Sequence, residues 1–355
     1  MSDWVPLLNW LFSVGLIQIG AVVALNMTVV AYLIMIERKV AAYAQDRVGP
    51  NRAGPLGLLQ PLADGLKLLI KEDVIPGHVN KGLYLLAPCV AFMGALVGFA
   101  VVPFGPVIPD GLFWGPVGPI QFQIAPWVDL GILYVFAIGS LTVYGVILAG
   151  YSSNNKYSFL GGLRSSAQLI SYEVPLGLSI LGIVLLSRSL DLNDIIGWQD
   201  RNVWGVIAQP IGFMLFVISA FAETNRLPFD LPESEQELVG GFHTEYAALK
   251  WAMFFLAEYL HIITVSFLIA ILFLGGWDIP FVDALNIDSV GWASAMLKTA
   301  VLLAKVGFLI FFIMWVRWTL PRFRYDTLMD LAWKSLIPLA LANLIVTATV
   351  VQFLR

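Results

Sequence analysis

Eight apolar runs, each about 20 residues long, divide this chain, at roughly 11–36, 82–103, 126–149, 163–187, 204–222, 247–274, 295–316 and 335–354. A helix of that length, rising 1.5 Å per residue, spans the hydrocarbon core of a bilayer. The chain therefore reads as an all-α, polytopic membrane protein: a single integral-membrane domain over 1–355 with about eight transmembrane helices. Composition agrees. Only 12% of the residues are charged and 59% are hydrophobic, whereas soluble domains carry about 25% charged residues. The first run is long enough to be tilted. The fifth is short and contains Pro210, which makes it the weakest of the eight as a spanning helix.

The same composition excludes several functions. Cys89 is the only cysteine, so the chain can form no intrachain disulfide and supply no Cys-ligated iron–sulfur cluster or Cys-rich zinc site. Within its apolar run Cys89 reads as a small core residue. His78, His243 and His261 are too scattered to suggest paired haem ligands, and no metal site is expected. Neither G-x-G-x-x-G nor G-x-x-x-x-G-K-[ST] occurs. A net charge of −4 offers nothing to nucleic acid. The first run lacks a basic start and is too long for a signal-peptide core, so it reads as a retained helix.

Lys and Arg set the orientation. The first, third, fifth and seventh connections contain or border fifteen of them, from Arg38 and Lys39 to Lys334, whereas the even connections contain Arg188 and Arg201. The positive-inside rule puts the odd connections (about 37–81, 150–163, 223–246 and 317–334) in the cytoplasm and both termini outside. One segment of the first connection is apolar on one side yet does not span. In "PLGLLQPLADGLKLLIKED", Leu58, Leu59, Leu62, Leu66, Leu69 and Ile70 share a helical face opposite Gln60, Asp64, Lys67 and Lys71. It reads as an amphipathic helix lying at the interface or packed beneath a partner.

Three charges fall well inside their runs, where each costs several kcal/mol unless paired, hydrated or neutralised. They are Glu173 in the fourth run, Glu258 in the sixth and Lys305 in the seventh. Two readings stand: a static ion pair between a Glu and Lys305, or a chain of protonatable carboxylates; His261, one turn from Glu258, reads equally as an extension of that chain or as a core or lipid-facing residue. The fifth connection, "AETNRLPFDLPESEQELVGGFHTEY", gathers six acids, Glu223, Asp230, Glu233, Glu235, Glu237 and Glu245, with apolar residues between them. "ESEQELVGG" predicts a short helix with acids in its first turn, where the helix dipole favours them. Glu233 and Glu237 share a face and Glu235 points elsewhere. Glu37, Arg38 and Lys39 read as charges at the membrane edge, with Lys39 snorkelling. Gly49, Pro50, Gly54 and Pro55 predict an ordered, turn-rich loop, and Gly161–Gly162 predict close backbone approach. Arg317, Arg322 and Arg324, near Asp326 and Asp330, read as anchors with local ion pairs.

"ERKVAAYAQDRVGPNRAGPLGLLQPLADGLKLLIKED", "SNNKYSFLGGLRSSAQLISYE", the acidic connection, "AEY" and "PRFRYDTLM" together resemble the H-subunit family of bacterial NADH–quinone oxidoreductase (respiratory complex I), whose mitochondrial counterpart is NADH dehydrogenase subunit 1. The likeness runs through nearly the whole chain in order. It implies a subunit that joins the hydrophilic arm to the membrane arm in the bacterial inner membrane, walls the quinone chamber on the membrane side and starts the proton-coupling path. It also implies that this chain binds no redox cofactor, that quinone is the substrate, and that NADH, FMN and iron–sulfur clusters belong to partner subunits. Carried over by position, Glu37, Arg38, Arg47, Asp64, Glu223 and Arg226 belong to the quinone chamber. Glu233, Glu235, Glu237, Glu245, Glu173 and Glu258 belong to the proton-coupling path. No residue of this chain is catalytic.

Two other readings differ in class. The related membrane subunit of a hydrogenase or formate-hydrogen-lyase complex shares the fold but has no quinone chamber; the likeness over the acidic connection and "RVGPNRAGP" favours the quinone enzyme. An ion-coupled secondary transporter suits intramembrane Glu and Lys, but such transporters show internal repeats with paired broken helices, and no self-similarity is evident here.

Overall fold

A computed structural model describes residues 16–106, 123–232, 235–278 and 292–353. Among these the fold is all-helical. Seven helices are long and apolar enough to cross a membrane. In chain order the helices are α1 (Leu16–Ala44), α2 (Gln60–Ile70), α3 (Lys81–Val97), α4 (Gly131–Ser152), α5 (Lys156–Ser187), α6 (Leu192–Arg201) and α7 (Gly205–Ala208). They continue with α8 (Pro210–Glu223), α9 (Glu235–Leu238), α10 (Ala248–Phe273), α11 (Trp292–Thr319), α12 (Tyr325–Asp330) and α13 (Ile337–Phe353). A π-helical turn, Leu331–Leu336, joins α12 to α13, so the pair forms one continuous last span.

The fifth expected span departs most from its prediction. It consists of the single turn α7, then Gln209 in a non-helical conformation, then the shorter apolar helix α8 starting at Pro210. Proline lacks the N–H an uninterrupted helix needs at that position and is well suited to a first turn. Two helices extend furthest beyond their apolar runs. α1 continues to Ala44, placing Glu37, Arg38 and Lys39 on the helix itself. α5 begins at Lys156, where the Asn155 side chain caps it by accepting from the Tyr157 N–H at 3.0 Å.

α5 and α10 form the centre. α5 packs on α4, α8 and α13, and α10 packs on α3 and α11. α10 is the most enclosed of the seven long helices. Small residues set the spacing. A Cβ on Gly161 of α5 would lie 2.7 Å from the Gly241 backbone, and one on Gly145 of α4 would lie 2.7 Å from the Ala91 N of α3. Cys89, expected in the core, is instead exposed on α3, a position its apolar thiol tolerates in lipid.

The connections gather at two ends. At one, Asn80 N–H donates to Ser152 O at 3.0 Å, Asn155 Nδ2 to Glu245 Oε1 at 2.7 Å, and Phe323 N–H to Pro228 O at 3.2 Å. At the other, Ala125 N–H donates to Ala100 O at 2.9 Å, Asn193 Nδ2 to Gln123 Oε1 at 3.0 Å, and Trp204 Nε1 to Asp278 Oδ2 at 3.0 Å. The odd connections therefore meet at the first end and the even ones at the second, the alternation a membrane bundle requires.

Lys305 pairs with neither intramembrane Glu. Its ammonium donates to the carbonyls of Leu274 at 2.7 Å, Gly276 at 2.9 Å and Asp278 at 2.5 Å, and it lies 4.4 Å from the Trp204 ring centre. It caps the end of α10, where unpaired carbonyls attract a cation. Lys39 does not simply snorkel: its Nζ donates to Leu56 O at 2.6 Å, holding the turn-rich loop against α1.

Candidate functional site

The acidic connection folds back under the bundle and delivers Arg226 into a buried charge cluster. Gln168 of α5, fully buried, shapes that turn: its Nε2 donates to Ala222 O at 2.9 Å, Phe229 O at 2.9 Å and Asn225 Oδ1 at 3.2 Å. Arg226 is 2% exposed and Glu37 4% exposed, so each needs partners. Arg226 Nη1 donates to Glu37 Oε1 at 2.8 Å, and its Nε lies 2.5 Å from Glu258 Oε1. Tyr259 Oη donates to the other Glu37 oxygen at 2.6 Å, and its ring lies 4.5 Å under the Arg226 guanidinium. Arg317 of α11 also pairs with Glu37. Two carboxylates face two guanidiniums, so the buried charges balance. Burial opposes the charge on Arg226, but Glu258 and Glu37 outweigh it and raise its pKa, so the guanidinium stays charged.

This cluster stands between two cavities. The larger, about 600 Å³, opens beside α1 and is lined by Glu37, Arg38, Arg47, Phe255, Tyr259 and Arg317, among others. Its size is that of a pocket for a small organic molecule. The smaller, about 60 Å³, lies within the bundle. Glu173 of α5, Glu223 of α8 and Glu258 of α10 all line it, with Ser140, Asn225 and His261. It exceeds the roughly 10–15 Å³ that a cavity needs to admit a water. Glu173 accepts a hydrogen bond from the Ser140 hydroxyl of α4. A further cavity of about 30 Å³ carries the space onward between α3 and α10, lined by Glu223, His261 and Thr264. Three acids from three helices thus share one cavity in an apolar bundle.

The remaining sequence-selected residues fall around this core. Asp64 pairs with Arg38 at 2.6 Å, beside the larger cavity. Glu223 faces the acid cavity, and Arg226 reaches the larger cavity through Glu37. Glu237 pairs with Arg164 at 2.6 Å on the surface. Glu245 accepts from Asn155 and lies 3.8 Å from His78 Nε2. Glu233 lies outside the described residues; Glu235 begins the predicted short helix, α9. Asp230 pairs with Arg322 at 3.0 Å. Arg324–Asp326 and Lys334–Asp330 are the local surface pairs expected of that segment, whereas Arg317 and Arg322 reach other elements.

Sequence reasoning missed Tyr259, Gln168 and Ser140. Tyr259 follows Glu258 directly in "AEY", which was its one visible signal; Gln168 and Ser140 read as ordinary helical residues.

Such a fold and site define a multi-pass helical membrane protein that leads from an open cavity, through a balanced charge cluster, into a buried acid chamber. The family model described as NADH dehydrogenase matches residues 17–348. The H subunit of NADH-quinone oxidoreductase from Leptospira biflexa serovar Patoc is 49% identical over 341 residues, covering 95% of this chain and 93% of that protein. The H subunit from Thermomicrobium roseum is 47% identical over 357 residues, covering 98% and 97%. The H subunit numbered 1 from Geobacter sulfurreducens is 48% identical over 334 residues, covering 91% and 90%. The chain belongs to the NADH dehydrogenase family, whose members named here are H subunits of NADH-quinone oxidoreductase, an oxidoreductase complex.

Proposed function

We propose that the chain forms the membrane-side wall of the quinone chamber in a proton-pumping NADH:quinone oxidoreductase and carries the first stretch of its proton-coupling path. It acts in the bacterial cytoplasmic membrane, odd connections facing the cytoplasm, assembled with the hydrophilic quinone-module subunits and small membrane subunits. One observation carries the reading: Arg226 bonds both to Glu37, on the wall of the larger cavity, and to Glu258, on the wall of the acid cavity.

The residues then take separate roles. The apolar flank of the larger cavity, with Phe255 and Trp318, suits an isoprenoid tail, and Glu37, Arg38, Arg47 and Asp64 suit the polar headgroup. Reduction of the quinone to quinol by two electrons takes up two protons. A change of charge at Glu37 alters its hold on Arg226, and so the hold of Arg226 on Glu258. That is a local electrostatic event able to shift the loop between two arrangements. Glu258, Glu223 and Glu173 then pass protons through the acid cavity. Glu233, Glu235, Glu237 and Glu245 belong to its cytoplasmic approach. The chain supplies no redox centre; electrons reach the quinone from a partner subunit.

A photoreactive quinone on the assembled complex tests the chamber. Cross-links on this chain are expected around Glu37–Arg52 and Phe255–Tyr259. Labelling of the complex with none at these segments would overturn the assignment.

A further inference from the structure

A separate cavity of about 430 Å³ lies between the amphipathic helix α2 and the start of α10. Arg38, Asp64, Lys67, Lys71, Tyr246 and Trp251 are among its lining residues. Arg38 and Asp64 neutralise one another at 2.6 Å. Lys67 and Lys71 are exposed, and among the described residues neither is seen in an ion pair. The cavity thus carries three basic side chains against one acid. The nearby Asp73 is engaged by Lys250 at 2.7 Å, and Glu72 does not line the space.

The other face of α2 supplies the second observation. Leu62, Leu66, Leu69 and Ile70 are between 50% and 81% exposed. A helix with a broad apolar face and a basic opposite face lies in the membrane interface, leucines in the acyl region. Its polar side then sits at headgroup depth, where basic pockets between helices take anionic headgroups. Trp251 suits the same boundary. The ligand must bring a compact anion for two ammonium groups, each with three donors, and an apolar part to run down the flank of α2.

We propose that this cavity binds the phosphate headgroup of an acidic membrane phospholipid, held by Lys67 and Lys71. The site shares Arg38 and Asp64 with the edge of the proposed quinone chamber, but Lys67 and Lys71, which hold the phosphate, line this cavity and not the larger one. Its occupant fixes α2 against α10 and so defines one edge of the opening beside Arg38.

The test uses the whole complex exchanged into phosphatidylcholine nanodiscs with a small fraction of phosphatidylglycerol, the retained acidic lipid being counted by mass spectrometry. Wild type and Lys67→Arg/Lys71→Arg are expected to hold one more phosphatidylglycerol than Lys67→Gln/Lys71→Gln. The affinity of the Gln pair should fall roughly twenty-five-fold, from a loss of about fivefold per lysine. Equal retention in the Gln pair overturns the proposal. Displacement of the lipid by soluble glycerophosphate at an equal concentration also overturns it, because the site would then be one for free phosphate. If the Gln pair does not assemble, a photoreactive phosphatidylglycerol on wild type decides. Cross-links within residues 64–71 or 246–251 support the site, and their absence overturns it.

Discussion

Arg226 Nη1 stands 2.8 Å from Glu37 Oε1, a contact that brings together residues 189 positions apart, both almost wholly buried. Removing one member of such a pair leaves an uncompensated buried charge, a loss of about 3–5 kcal/mol. Arg226→Leu is therefore expected to destabilise the subunit by that order. The assembled complex should melt earlier or fall in yield, read by thermal shift and by the amount of intact complex recovered. Arg226→Lys keeps the charge but not the planar fork that reaches Glu37 and Glu258 together, and should recover only part of the loss.

Gln168 makes a second prediction. It donates to Ala222 O, Asn225 Oδ1 and Phe229 O from inside the bundle. Gln168→Leu leaves those acceptors without the donor, at about 1–3 kcal/mol, and frees the turn that carries Arg226. Quinone reductase activity is expected to drop several-fold, although Gln168 touches neither cavity. Unchanged activity and stability would show that the turn holds without it.

Packing at Gly161 is equally direct. Gly161→Ala puts a Cβ 2.7 Å from the Gly241 backbone, so α5 or the 241–243 turn must move, at a typical overpacking cost of about 1–3 kcal/mol. Gly177, on the same helix, has no atom within 4 Å of a built Cβ. Gly177→Ala should be neutral or slightly stabilising. Thermal midpoints of the two complexes compare them.

Lys305 separates structure from coupling. Lys305→Met leaves three carbonyls at the end of α10 without their cationic donor, at about 1.5–3 kcal/mol. Stability should fall while the number of protons pumped per electron pair stays at the wild-type value. A changed pumping ratio with unchanged stability would contradict its role as a cap.

The sequence revealed the spans because length and apolar continuity are one-dimensional properties that a bilayer selects directly. It also placed Glu173 and Glu258 well inside their helices, since that follows from position along an apolar run. It did not reveal azimuth. That Glu173, Glu223 and Glu258 face one cavity depends on how α5, α8 and α10 are rotated against each other, which is set by three-dimensional packing. Lys305 was illegible for a different reason: its partners are backbone carbonyls, which carry no sequence signature. α8 shows the limit of apolar runs, because Pro210 breaks the helix without interrupting hydrophobicity. Likewise the helical ends of α1 and α5 continue past the apolar stretches, because polar helix formers and an Asn cap extend a helix that hydropathy alone would stop.

In the function we propose, proton coupling turns on Glu173, Glu223 and Glu258, which line one cavity, carrying protons away from the quinone chamber. The direct measurement is proton uptake and quinone reduction together, in proteoliposomes containing the assembled complex with Glu223→Gln. Gln has nearly the size of Glu but cannot take up and release a proton in the same way. Pumping is expected to fall by at least tenfold, with quinone reduction slowed alongside it, in a complex that assembles normally. Full rates of both reactions in that variant would contradict the role given to these three acids.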